Sequence, residues 1–129
     1  MLLELLSDLL EIDDVLLIVK NSGVVSEVRS NSLGIHQKEK WITIGDNDGP
    51  AHMHVDSELI KSAEFVQEEK LERTSYSVRF YNETGDHILA AFFTKMYDES
   101  KNLISERKKV YDKLNKNLVL KLNFKKNLV

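Results

Sequence analysis

The stretch TSYSVRFYNETGDHILAAFFT, residues 74–94, decides the fold of this chain. Apolar and polar side chains alternate along residues 74–80 with a period of two, which is typical of a β-strand with one buried face. Residues 82–86 have turn chemistry, and the largely apolar run 87–93 then returns. The stretch therefore predicts an antiparallel hairpin whose second strand is covered on both faces.

More strands are predicted on the N-terminal side of this hairpin. The apolar run 15–19, the turn at 21–23 and the run 24–28 predict a second hairpin. Residues 41–44 predict a strand that ends in the Gly/Asp/Asn loop 45–50, and residues 63–66 predict another, after a helical turn at 57–61. Together these segments indicate an antiparallel sheet.

Helices are predicted at both ends of the chain. Leucines at helical spacing make the first dozen residues amphipathic. Ser100 is predicted to cap a second helix. One face of that helix carries Leu103, Val110, Leu114 and Leu118. The predicted fold class is α+β, with a large antiparallel sheet flanked by N- and C-terminal helices, in a single domain over residues 1–129. Residues 118–129 form either a strand or a frayed, extended tail.

The composition limits the classes of function. The 129 residues are 42% hydrophobic and 30% charged, without cysteine, which excludes disulfides, thiolate metal sites and cysteine nucleophiles. No apolar run reaches the roughly 18 residues of a membrane span, and the start of the chain has no basic leader, so we expect a cytoplasmic protein. Residues 101–129 carry nine Lys or Arg and two acids. We interpret this basic end as a solvated helix face and do not expect nucleic-acid binding.

The run AHMHVD, residues 51–56, is the stretch with the clearest chemical meaning. In a strand, His52, His54 and Asp56 share one face, while the apolar residues between them share the other. Neutral imidazole is the commonest protein metal ligand and also an axial ligand of haem iron. The alternatives are a haem site that uses one of the two imidazoles, a divalent-metal site at all three residues, and two ordinary surface histidines.

Most familiar catalytic motifs are absent from the sequence. It contains no nucleophile elbow, phosphate-binding loop or dinucleotide-binding fingerprint. Asp46 and Asp48 lie in a loop without the spaced acids of a calcium-binding loop, so we interpret it as a structural turn. The acids at 68, 69 and 72 are predicted to be a solvated strand end.

The order of the segments resembles haem-utilisation proteins of the ChuX/HutX/HemS type. Residues 15–27 resemble their opening strand and hairpin, and residues 54–66 resemble the His-containing segment with the strand that follows. Residues 74–95 are similar in both groups. The resemblance covers roughly residues 13–115 and implies one copy of the unit that HemS-type chains carry twice.

The resemblance also implies a function. It indicates haem binding for uptake, storage or transfer, in a homodimer that imitates the double-unit chains. His54 matches the histidine associated with haem in ChuX-like members, and His52 is its near alternative. Lys95 falls where the family has a basic residue, and we expect Lys95 or Arg79 to hold the haem propionates. We expect a carrier rather than an enzyme.

Two alternatives are kept beside this hypothesis. One is a haem-degrading enzyme. The other is a non-haem interaction module. It is motivated by Met96-Tyr97, which stands where relatives commonly carry a further basic residue, and by Glu68-Glu69, which stands where many carry an Arg-Pro pair. A divalent-metal site at His52, His54 and Asp56 on the same fold is a variant of this second alternative.

Overall fold

The computed structural model describes residues 1–31 and 33–128, with the side chains described as far as residue 118. Residues Leu2–Thr94 form one compact unit, and the residues after Thr94 form another. The elements in chain order are α1 (Leu2–Leu10), β1 (Val15–Lys20), β2 (Val25–Arg29), β3 (Ile35–Lys38), β4 (Trp41–Gly45), β5 (His52–Asp56), β6 (Ser62–Glu69), β7 (Thr74–Tyr81), β8 (His87–Phe93) and α2 (Ser105–Leu128). The predicted fold class is confirmed. The single-domain assignment stays a prediction.

The first unit contains a five-stranded antiparallel sheet of order β2-β1-β8-β7-β6. Both predicted hairpins are confirmed, since β1 pairs with β2 and β7 pairs with β8. One face of this sheet forms the core, because residues that lie opposite each other share a face and these are fully buried. They are Val15, Leu17, Val78, Phe80, Leu89 and Ala91.

Three more strands form a separate antiparallel sheet of order β3-β4-β5. The predicted strands at 41–44 and 52–56 are its second and third members. Strand β3 was missed from the sequence, because Ile35–Lys38 is short, mostly polar and followed by the charged turn at Glu39 and Lys40. The positive φ of Glu39, 56°, allows this two-residue turn.

Helix α1 confirms the prediction of an amphipathic N-terminal helix. Its buried residues are Leu5, Leu6 and Leu9, and the helix contacts β3. The three leucines recur at i, i+1 and i+4, which places them on one apolar stripe.

The predicted start of the C-terminal helix is wrong. A carboxylate oxygen of Asp98 accepts hydrogen bonds from the backbone N–H groups of Ser100 and Asn102, each at 2.9 Å, which holds this segment in a turn. Helix α2 begins five residues later, at Ser105, and its backbone remains helical to Leu128. A strand is therefore not formed between residues 118 and 128. A frayed or extended tail stays a prediction.

The two edges of the five-stranded sheet differ in chemistry. Edge strand β6 carries exposed carboxylates at Glu64, Glu68 and Glu69. At the other edge, Val24 and Val25 are 64% and 57% exposed at the start of β2.

Candidate functional site

The two predicted histidines lie side by side on β5. The ring centroids of His52 and His54 are 5.3 Å apart, with the planes inclined by 66°, and both residues are exposed. Strand alternation therefore places both imidazoles on one face of the three-stranded sheet, as predicted.

The ring of His54 is held by the neighbouring strand. Its Nδ1 lies 2.9 Å from Oγ1 of Thr43, which is directly opposite on β4 and only 5% exposed. When Nδ1–H donates to Oγ1, the lone pair of Nε2 is free for a ligand. Within the described part of the chain, no hydrogen bond engages Nε2. This arrangement is typical of a metal-ligating histidine whose second nitrogen fixes the ring.

A third histidine, His36, belongs to the same face. It lies on β3 opposite Thr43, so His36, Thr43 and His54 form a row across the three strands. His36 is exposed. Its place beside the other two imidazoles could be found only by recognising Ile35–Lys38 as a strand.

A cavity of about 670 Å³ adjoins this row. His36 lines it together with Leu33, Ile35 and the loop that joins β4 to β5. The loop begins at Gly45, whose φ of 89° is in the left-handed region. A Cβ atom at Gly45 would lie 2.5 Å from the carbonyl oxygen of Ala51, so only glycine fits there. The cavity is within the usual size range of small-molecule and cofactor sites.

Asp56 does not join the histidines as a metal ligand. Its carboxylate lies 3.3 Å from Nζ of Lys40 and accepts the N–H of Glu58. Lys40 also lies over the Trp41 ring, 5.3 Å from its centroid. Among the residues whose side chains are described, 1–31 and 33–118, no group of three His, Asp or Glu is arranged to hold a metal ion. The hypothesis of a three-ligand divalent-metal site at His52, His54 and Asp56 is therefore wrong.

The two predicted propionate-binding cations lie on other elements. Arg79 is on β7 of the five-stranded sheet, where its Nη2 pairs with Oε2 of Glu68 at 2.8 Å. Lys95 follows β8, is exposed and has a positive φ of 54°. The structure thus brings His52 and His54 together and places Arg79 on the other sheet. The roles of all four residues in haem binding stay predictions.

A family model matches residues 3–121 of the chain. The solved structures that resemble it include ChuX, described as a haem-binding protein, with a TM-score of 0.74 and 16% identity over 89% of this chain and 70% of ChuX. The chain belongs to the ChuX-like haem-utilisation family. No curated protein sequence matches it significantly.

Two further structures show the range of this fold. A protein from Agrobacterium tumefaciens, AGR_C_4470, has a TM-score of 0.69 and 24% identity, over 85% of this chain and 62% of that one. PhuS from Pseudomonas aeruginosa, a haem-binding protein, has a TM-score of 0.68 and 13% identity. The match covers 85% of this chain and 31% of PhuS. At these identities the likeness establishes the fold. Helices long and apolar enough to span a membrane are absent from the described residues.

Proposed function

We propose that this protein binds haem for uptake, storage or transfer, with His54 as the axial ligand of the iron. The single observation that carries the proposal is the Thr43–His54 contact of 2.9 Å, because it orients an exposed imidazole and leaves Nε2 for a metal. Membership of a haem-utilisation family supports the same ligand. His52 is the alternative ligand, since its ring is adjacent to that of His54.

The remaining parts of the proposal come from the family resemblance. We infer that Lys95 or Arg79 holds a propionate, that two copies of the chain form a homodimer, and that the protein acts in the cytoplasm. Light scattering of the purified protein tests the homodimer, for which we expect twice the mass of 14.9 kDa.

Titration of the purified apo-protein with hemin tests the proposed function. We expect a red-shifted Soret band that saturates at one hemin per chain, and a weaker, blue-shifted band for His54→Ala. Arg73→Ala is the control, because Arg73 is exposed and belongs to neither sheet. An unchanged hemin spectrum at micromolar protein would instead support the interaction module.

The same complex separates a carrier from a degrading enzyme. One structural neighbour, ChuS from Escherichia coli, is described as a haem oxygenase and matches with a TM-score of 0.67 and 17% identity, over 88% of this chain and 33% of ChuS. We expect the Soret band of the present complex to persist when ascorbate is added. Loss of the band with a biliverdin-like product would assign the degrading activity.

A further inference from the structure

A second groove lies on the opposite sheet from the histidine row. It has a volume of about 300 Å³ and crosses strands β1, β8 and β7 of the five-stranded sheet. In the register, Ile18 and Arg79 both lie opposite Ala90, so the three residues share one face. The small side chain of Ala90 leaves the space between its two larger neighbours.

The floor of this groove is apolar and its rim is cationic. Ile18, Ala90 and Phe92 belong to the floor, while Lys20 and Arg79 bring positive charge from β1 and β7. Glu27, exposed on β2, is the one acid among the lining residues. The lining therefore carries one net positive charge beside an apolar surface.

Arg79 lines this groove, and its guanidinium is only partly satisfied by hydrogen bonds. Its Nη2 is engaged by Glu68, but its Nε is buried and has no hydrogen-bond partner among the described residues. A buried, charged N–H group without an acceptor is costly, and such groups are satisfied in most native structures. The Arg79 side chain is 26% exposed in spite of its ion pair with Glu68, so part of this cation is accessible to a ligand.

His87 also lines the groove and is affected by the positive charges of Arg79 and Lys20. Its pKa is lowered, first by partial burial and then by the charges of Arg79 and Lys20, although the hydrogen bond from Nε2 to the carbonyl oxygen of Leu89 opposes this shift. The two cations thus act on one point of the groove rim, where a negative charge would be stabilised.

We propose that this groove binds a small apolar molecule through its carboxylate, with the guanidinium of Arg79 and Nζ of Lys20 as the recognising groups and the Ile18–Ala90–Phe92 floor as the surface for the apolar part. The carboxylate belongs either to a free acid of this kind or to a haem propionate.

Octanoate is the probe, titrated into haem-free protein and followed by amide NMR shifts of the groove residues. For a ligand of this size we expect a dissociation constant of about 1 mM, and much weaker binding of octan-1-ol, which lacks the carboxylate. Arg79→Gln is expected to weaken octanoate binding by about tenfold or more, and Lys20→Gln severalfold. Glu27→Gln is expected to strengthen it, because it removes the one acid of the lining.

Arg73→Gln is the matched control, since Arg73 is an exposed arginine that precedes β7 and does not line the groove. It is expected to bind octanoate like the wild type, and thermal unfolding checks that each variant is folded. Lys20 is exposed at the end of β1, so its variant tests the proposal even where Arg79→Gln does not fold. The proposal is overturned if octanoate causes no saturable shifts up to about 10 mM. The proposal is also overturned if octan-1-ol binds as tightly as octanoate, or if Arg79→Gln and Lys20→Gln both bind octanoate as tightly as the wild type.

A hemin titration in saturating octanoate distinguishes the two sources of the carboxylate. Lower hemin affinity assigns the groove to a propionate, and unchanged affinity assigns it to a free acid. The octanoate measurements use protein without haem, so failure of hemin to bind would remove the proposed function and leave this inference standing.

Discussion

Oγ1 of Thr43 and Nδ1 of His54 lie 2.9 Å apart across two neighbouring strands, although Thr43 is buried and His54 is exposed. A buried hydroxyl thereby fixes an imidazole that is open to a ligand. The contact explains how a histidine on a sheet surface can keep the orientation that iron binding requires.

The first prediction concerns this contact. Thr43→Val keeps the shape of the side chain and removes the hydroxyl, so we expect hemin affinity to fall by about tenfold. Thr43→Ser retains the hydroxyl and is expected to bind hemin nearly as well as the wild type. Hemin titration measures both variants, and equal affinities for the two would show that the hydroxyl has no role.

The second prediction concerns the loop beside the histidine row. Gly45→Ala combines a positive φ with a backbone contact, so we expect it to lower the free energy of unfolding by about 3 kcal/mol. Gly85 shares the positive φ, but a Cβ atom there meets open space. We therefore expect Gly85→Ala to lower the free energy of unfolding by about 1 kcal/mol. Gly34 has neither feature, so we expect the free energy of unfolding of Gly34→Ala to stay within about 0.5 kcal/mol of the wild-type value. Urea unfolding measures the free energy of unfolding of the three variants. Similar losses of stability in all three would contradict the predicted order.

The third prediction concerns the acid sensitivity of the fold. Because the pKa of His87 is lowered in the folded state, its neutral form is favoured there. The corresponding stability is fully present above the unfolded pKa of about 6.5 and is lost as the pH falls through the folded pKa. We expect His87→Gln to lose less stability than the wild type between about pH 7.5 and about pH 5.5.

An NMR titration of the His87 ring tests the cause of that shift. Arg79→Gln and Lys20→Gln should each raise the pKa of His87, because each removes a nearby positive charge. Arg73→Gln should leave it unchanged. A His87 pKa above 6.5 in the wild type would contradict the third prediction.

The fourth prediction concerns the N-terminal helix. Leu6 is 1% exposed, so Leu6→Ala is expected to cost about 2–5 kcal/mol of unfolding free energy. Leu71 is fully exposed, and Leu71→Ala is expected to change the free energy of unfolding by less than about 0.5 kcal/mol. Urea unfolding compares the two, and a small effect at Leu6 would show that α1 contributes little to the core.

Strong alternation made much of the fold predictable. Residues 74–80 alternate because one face of β7 is the core, and the turn residues at 82–86 fixed where the chain reverses. Strand β3 could not be predicted from the sequence, because only one of its four residues, Ile35, is apolar. Its pairing comes from the neighbouring strand β4 and not from local preference.

The start of α2 and the candidate site show a second reason for failure. Ser100 is a good capping residue, but the Asp98 carboxylate accepts the N–H of Asn102, which a Ser100 cap would bind, and periodicity does not show local competition of this kind. The His52–His54 pair followed from alternation alone, whereas the Thr43 contact needed the register of β4 and β5. The groove at Arg79 depends on the pairing of β1 with β8, two strands that are distant in sequence.

The two edges of the five-stranded sheet differ in how readily they can pair with another chain. A strand in solution that approaches β6 meets a line of carboxylates, which repels like-charged chains and discourages edge pairing. At the edge strand β2 it meets the exposed side chains of Val24 and Val25. Fibril growth or strand exchange at high concentration is therefore expected to begin at β2, and a lysine in place of Val25 would act as a gatekeeper against it.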